Sequence, residues 1–263
     1  MTDLTLCQTL HLFRGAIRLL DRHVALLDRC SRELFGRPYA PDRQQLARRI
    51  LAAAGSDSAS MVCSSFVRLE LTADGVERLT AGARSYYAGY ALRSIRCRGV
   101  SIACQPPLDG YPTTAREANL LALRRMALCA GGDVGVQVGP DGCYRTVEGS
   151  PLAVVCGRTV WLAPECTPYA VVPPPVGLAG EPLRGHRFDP PRSVEYTLLA
   201  EAVRAAGLVL EERSFGPGEQ RRFDELFWLD YRGLTALSHL DGRPLMALTA
   251  ERVADALEKL FHA

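Results

Sequence analysis

The chain has 263 residues, 48% of them apolar, and a formal net charge of +2. That length suits one large domain or two modest ones with a buried core, and the scattered basic residues argue against a nucleic-acid groove. No apolar run reaches the roughly 20 residues that span a bilayer, and the N-terminus lacks the basic and apolar regions of a signal peptide, so a cytoplasmic protein without membrane or nucleic-acid partners is expected.

Residues 4–12 alternate apolar and polar and predict a strand, with a turn at Phe13-Arg14-Gly15-Ala16 and a return over 17–20. Asp21 is the predicted cap of a helix through Phe35, and Asp42 the cap of a second through Ala54. Residues 65–71 alternate again and close at Ala73-Asp74-Gly75. Tyr87 to Leu92 and Ser101 to Cys104 read as two further strands. Gln105 to Pro112 is punctuation and the expected domain boundary.

A helix from Ala115 to Cys129 follows, then strands at 134–138, 152–156 and 160–162. A Pro/Gly-rich connection runs from Pro164 to Pro191. Ser193 is the predicted cap of a helix over 194–206. Residues 209–213 are extended, Phe223 to Leu229 lead into a strand pair around 235–244, and Thr249 is the predicted cap of a last helix to Phe261. The pattern is α+β in two halves.

The nine cysteines include no Cys-x-x-Cys pair, so neither a disulfide framework nor a metal site is suggested. They read as small buried hydrophobes in a reducing compartment. Trp161 and Trp228 are expected in the core. His23 reads as structural, and His186 and His239 are isolated. The only lysine among 31 basic residues is Lys259.

Several phrases, in order, resemble the class IV aminotransferases, which include branched-chain and D-amino acid aminotransferases and aminodeoxychorismate lyases. Gln8-Thr-Leu-His-Leu-Phe-Arg-Gly15 resembles that family's opening hairpin, and His23-Val-Ala-Leu-Leu27 its His-Leu-x-Arg-Leu helix. Arg116-Glu-Ala-Asn119 resembles its Lys-x-x-Asn, Val147-Glu-Gly-Ser150 its Thr-Glu-Gly-Ser, and Asp224-Glu-Leu-Phe227 its Asp-Glu-Val-Phe. The resemblance implies a two-domain α+β, D-amino acid aminotransferase-like fold. It implies domains of about 1–110 and 111–263 with a ligand cleft between them, and a homodimer. In the family the cleft holds pyridoxal phosphate.

The family's functional residues are largely replaced. The lysine that forms the Schiff base falls at Arg116, and a guanidinium stays protonated and is not a Schiff-base nucleophile. The arginine that grips the cofactor phosphate falls at Leu26. The phosphate-cradling Gly-Ile-Thr-Arg falls at Ser193-Val-Glu195-Tyr196, where a helix N-terminus favours an anion but Glu195 repels one. The Thr-Asn-Ser segment falls near Leu229-Asp230-Tyr231. The glutamate that pairs with the pyridine nitrogen falls at Glu148, or at Thr146 in an ungapped count.

The resemblance thus implies a diverged homologue without Schiff-base catalysis, either non-catalytic or reusing the cleft for other chemistry. Alternatives are a pyridoxal-phosphate-dependent aminotransferase or lyase with an atypical site, and a non-catalytic subunit paired with a lysine-bearing homologue. No cofactor is expected, with pyridoxal phosphate at most non-covalently held. The expected ligand is a small amino or carboxylic acid. Candidate ligand-binding residues are Arg116, Asn119, Glu148, Ser193, Glu195, Asp230, Tyr231, Arg232 and His11. No catalytic residue is assigned.

Overall fold

The structure is a computed structural model that describes residues 4–55, 63–106, 108–166, 169–171 and 186–262. Most of the expected 164–191 connection therefore lies outside the described residues. Strand β1 (Thr5–Phe13) turns through Arg14-Gly15 into β2 (Ala16–Ile17). Helix α1 (Leu20–Phe35) follows without the predicted Asp21 cap: Leu19, at φ 56°, is the residue before the first turn, and no side chain caps it. Asp21 instead sits within the first turn, where a negative charge favours the helix dipole. Asp42 caps α2 (Arg43–Ala54) as expected, accepting from Gln45 N at 2.7 Å. Strands β3 (Ser65–Thr72) and β4 (Glu77–Ala81) complete an antiparallel sheet in the order β2-β1-β3-β4. Helices α1 and α2 cover it through Val24, Leu27, Leu46 and Ile50, packed on Leu6, Leu10, Val67 and Leu69.

One long strand, β5 (Leu92–Ala103), replaces the two predicted at 87–92 and 101–104. It lies inside the second sheet, between β14 and β6. The two sheets therefore part between Ala81 and Leu92, ahead of the Pro-rich stretch expected to divide the chain at 110. Helix α3 (Thr114–Cys129) is capped by Thr113. Then come β6 (Val134–Val138), β7 (Tyr144–Val147), β8 (Ser150–Cys156) and β9 (Thr159–Leu162), and the short pair β10 (Tyr169–Val171) and β11 (His186–Phe188). Helix α4 (Val194–Ala205) leads to β12 (Val209–Glu212), a 3-10 turn at Pro217–Arg222, β13 (Glu225–Asp230), β14 (Gly233–Leu240), β15 (Arg243–Pro244) and α5 (Leu248–Lys259).

Among the described residues the second sheet has nine strands in the order β12-β9-β8-β13-β14-β5-β6-β7, with β15 on β14. Strand β7 also pairs with β8, so β8, β13, β14, β5, β6 and β7 close into a ring. A ring leaves no free edge among its members. Tyr144, Val154, Leu226 and Leu237 belong to one core cluster of this sheet, and α4 and α5 cover it through a second. Trp161 joins the first cluster, as expected. The start of α5 is held by Glu225 of β13, which accepts from Thr249 N and Ala250 N, so the predicted Thr249 cap is supplied across the fold. Among the described residues no helix is long and apolar enough to cross a membrane.

Candidate ligand cleft

A cavity of about 400 Å³ opens where β1, α3 and α4 meet the mouth of the strand ring. Its walls come from Cys7, Gln8 and Thr9 of β1, the cleft side of α3, the β7–β8 hairpin, Glu195 of α4, and the β13–β14 hairpin. Cys7 N donates to Pro112 O at 2.8 Å, which ties the first sheet to the start of α3. The Cys7 thiol is not a nucleophile here, because burial and then Glu117 push its pKa up to about 12.

Arg116 projects from the first turn of α3 into this cavity. Its Nε lies 3.4 Å from Asp109 Oδ1, and an Nη donates to Gly149 O at 3.1 Å. Asp109 is buried and also accepts from Gln137 Nε2 at 2.7 Å, while Thr146 Oγ1 donates to Gln137 Oε1 at 2.7 Å. Arg116 is thus a neutralised clamp between the 108–110 turn and the β7–β8 hairpin. Thr146 is consumed by that network, and Glu148, not Thr146, faces the cavity. The hairpin explains why: Val147 pairs with Ser150, and the two loop residues both take positive φ, Glu148 at 47° and Gly149 at 83°. Such a two-residue turn needs glycine at its second position and strains a glutamate at its first. Burial raises the pKa of Glu148, and its Oε1 has no hydrogen-bond donor among the described residues. Arg124 Nε stands 3.7 Å away, an ion-pair distance too long for a hydrogen bond.

The α4 end of the cavity is acidic. Ser193 caps α4 by accepting from Tyr196 N at 3.0 Å, and its own N and Oγ donate to the buried carboxylate of Glu165 at 2.8 and 2.7 Å. Burial raises the Glu165 pKa. Glu195 lines the cavity from the first turn of α4, and burial, reinforced by Glu165 and Asp230, lifts its pKa to about 7. Asp230 accepts from Arg232 N at 2.7 Å and from Arg232 Nε at 2.9 Å, closing the β13–β14 hairpin on itself.

Six predicted residues meet in the cavity: Arg116, Glu148, Glu195, Asp230, Tyr231 and Arg232. Three do not line it. Asn119 donates to Ala115 O within its own helix, and Ser193 is spent on α4 and Glu165. His11 is fully buried: its Nδ1–H donates to Tyr231 O at 2.9 Å, and Ser64 Oγ donates to Nε2 at 2.8 Å. Burial, with the nearby Arg18 charge, lowers the His11 pKa to about 3, so the ring is neutral and holds the Tyr231 backbone in place. Leu26 packs in the first core and offers nothing to a ligand. Trp228, expected in the core, is buried but forms part of the cavity wall. Sequence reasoning missed Arg93, which lines the cavity from the start of β5. The only sequence signal was a charged residue opening a strand.

No protein-family model matches the chain. No curated protein sequence matches it either. Solved structures do. A fold IV-transaminase from Curtobacterium pusillum superposes with a TM-score of 0.71 at 19% identity, over 99% of this chain and 85% of that one. An aminotransferase from Brucella abortus bound to the cofactor pyridoxal phosphate gives 0.72 at 17%, over 98% and 89%. A hypothetical aminotransferase from Mycobacterium tuberculosis, bound to alpha-ketoglutarate and pyridoxamine phosphate, gives 0.69 at 19%, over 97% and 88%. The chain therefore has the fold of the fold-type IV aminotransferases, as its motifs implied. One expectation is corrected. The sequence led us to expect no cofactor, yet proteins of this fold hold pyridoxal phosphate and pyridoxamine phosphate, and that expectation is withdrawn.

Proposed function

We propose that the cavity binds a ligand of the pyridoxal phosphate class and that the chain does not carry out lysine-dependent Schiff-base catalysis. The supporting observation is the placing of the two residues that matter. Arg116 occupies the α3 position facing the cavity and is held by Asp109 and Gly149. Lys259, the only lysine, is exposed in the last turn of α5 and lines a separate hollow with Ala205, Arg252 and Asp255. Such a ligand, when bound, supplies a ring that withdraws electrons from its substituent. The residues fit this class in part. Glu148 offers a buried acceptor with no donor of its own, and Tyr231 and Trp228 offer walls. The lysine is missing, and the acids at the start of α4 oppose a phosphate there. No chemical step on the ligand is therefore derived.

The test is titration with pyridoxal phosphate followed by borohydride reduction and peptide mass spectrometry. The expected outcome is saturable quenching of protein fluorescence with no reduced adduct in the cavity, and no transamination of amino acids. In Arg116→Lys, an adduct should appear at residue 116. Turnover by the unmodified chain with an adduct on Lys259 would sink the proposal, and absence of binding would remove its first half.

We further propose a homodimer. Helix α3 leaves Leu121 and Leu128 exposed two turns apart, at 66% and 50%, with Ala118, Ala122 and Cys129 on the same face. Sedimentation of a monomer at micromolar concentration would contradict this. We place the protein in the cytoplasm, consistent with its nine free thiols; export of the tagged full-length chain would contradict this.

A further inference from the structure

The cations around the cavity are not alike. Arg116 is matched by Asp109, Arg124 by Glu148 and Arg232 by Asp230. Arg93 has no carboxylate among the described residues, and its Nε is buried without a hydrogen-bond partner there. Its position is fixed by the sheet: Arg93 pairs in register with Thr235 of β14, and both residues line the cavity. Its guanidinium carbon lies 5.7 Å from the centroid of the Tyr87 ring. Stacking of this kind uses the flat face of a guanidinium and leaves its edge of N–H donors for an acceptor.

A buried donor without an acceptor is unfavourable, and such groups in native proteins are met by water or a ligand. At the α4 end, Glu195 lines the cavity with the Glu165 charge acting on it, and Asp230, which also lines the cavity, is taken up by Arg232. An anion at the start of α4 meets Glu195 with Glu165 close by, whereas an anion at Arg93 meets an uncommitted guanidinium suited to a planar or tetrahedral oxyanion. Opposite charge is therefore offered on the β5 side and like charge on the α4 side.

We infer that Arg93 is the anchor for the anionic group of the cavity's ligand, a phosphate or a carboxylate, in place of the start of α4. The assignment rests on the ligand binding proposed above and adds where the negative charge sits. Arg93 acts as a binding and specificity residue, with no part in moving a proton.

The experiment compares the wild-type chain with Arg93→Gln and Arg93→Lys. Pyridoxamine phosphate, pyridoxamine and alpha-ketoglutarate are titrated separately and followed by protein fluorescence, to which Trp228 at the cavity wall contributes. Losing one charge-assisted contact should weaken an anionic ligand about tenfold or more. Arg93→Gln should impose that loss on pyridoxamine phosphate, on alpha-ketoglutarate, or on both, leave pyridoxamine within about twofold, and Arg93→Lys should restore part of the affinity. Loss confined to pyridoxamine phosphate identifies the anion as phosphate, and loss confined to alpha-ketoglutarate identifies it as carboxylate. Unchanged affinity for both anions, or equal loss for pyridoxamine, overturns the assignment while leaving the proposed function standing. No binding of any of the three by the wild-type chain overturns both.

Discussion

Two polar regions lie where the first sheet meets the second, and they are built on opposite rules. In the seam formed by β1, the 90–92 stretch and α5, each charged group has been given a partner. Arg18, 6% exposed, donates to both oxygens of Glu258 at 2.6 and 3.1 Å. Its guanidinium lies within about 5 Å of the Phe13, Tyr90 and Phe261 ring centroids. Glu258 also accepts from Tyr90 N, and although burial opposes it, Arg18 holds the Glu258 pKa below the usual carboxylate range. Around the cavity, by contrast, two lining residues each keep one atom, Arg93 Nε and Glu148 Oε1, buried without a hydrogen-bond partner among the described residues, and acids gather at the start of α4. Satisfied polar groups hold a fold together, while unsatisfied ones in a cavity are a cost that a ligand can remove.

The largest expected effect breaks the seam. Removing one partner of a buried pair leaves the other charge uncompensated and costs about 3–5 kcal/mol. Arg18→Met should lower the urea midpoint accordingly, and Arg18→Met combined with Glu258→Leu should recover much of the loss. If the single substitution changes the unfolding free energy by less than about 1 kcal/mol, the seam is no more structural than the cavity and the contrast fails. Cavity substitutions such as Arg93→Gln remove no ion pair among the described residues and relieve an unsatisfied buried donor, so they should leave stability unchanged or slightly raised.

How much of this was legible beforehand follows from the range of each interaction. The strands at β1, β3 and β6 and the helices at α2, α3 and α4 were legible because alternation, helical spacing and the caps Asp42 and Ser193 are local signals. The Thr249 cap was misread because its partner, Glu225, lies 24 residues away. Strand β5 was split in two because its parallel pairing with β14 and β6 is set by chain segments far along the sequence. Arg116, Glu148, Glu195 and Asp230 were legible through motif resemblance. Arg93 was not, since only the parallel pairing of β5 with β14 brings it to the cavity beside Thr235. His11 and Asn119 entered as candidates through the motif alone, and their side chains meet Tyr231, Ser64 and Ala115; position in a motif says nothing about which atom the side chain meets.

A smaller effect sharpens the cavity side of the contrast. Glu195 ionises at about 7 in the folded chain against 4.5 for a free side chain. Between those values the unfolded chain has lost a proton that the folded chain keeps, so rising pH favours unfolding, and the loss is complete above about pH 7. Glu195→Gln escapes this. Its stability relative to the wild-type chain should increase from pH 4.5 to 7 and then level off, by about 1–3 kcal/mol in all. Urea melts at pH 5 and pH 8 measure the difference. An advantage that does not change with pH would mean that Glu195 is solvated and that the acidic end of the cavity is not under strain.

The smallest effect separates motif from geometry. Asn119 is the residue that most strengthens the α3 motif, yet its Nδ2 donates only to Ala115 O one turn back, at 2.9 Å. That bond satisfies a carbonyl already engaged by the helix, and alanine is the better helix former by a few tenths of a kcal/mol. Asn119→Ala should therefore leave stability within about 0.5 kcal/mol and pyridoxamine phosphate affinity within about twofold. Asn119 and Arg116 are three positions apart, near neighbours on one helix, so the pair forms an internal control. If Asn119→Ala weakens ligand binding as strongly as Arg93→Gln, the ligand reaches along α3 past Arg116. The anchoring charge would then have to be sought on that helix and not on β5.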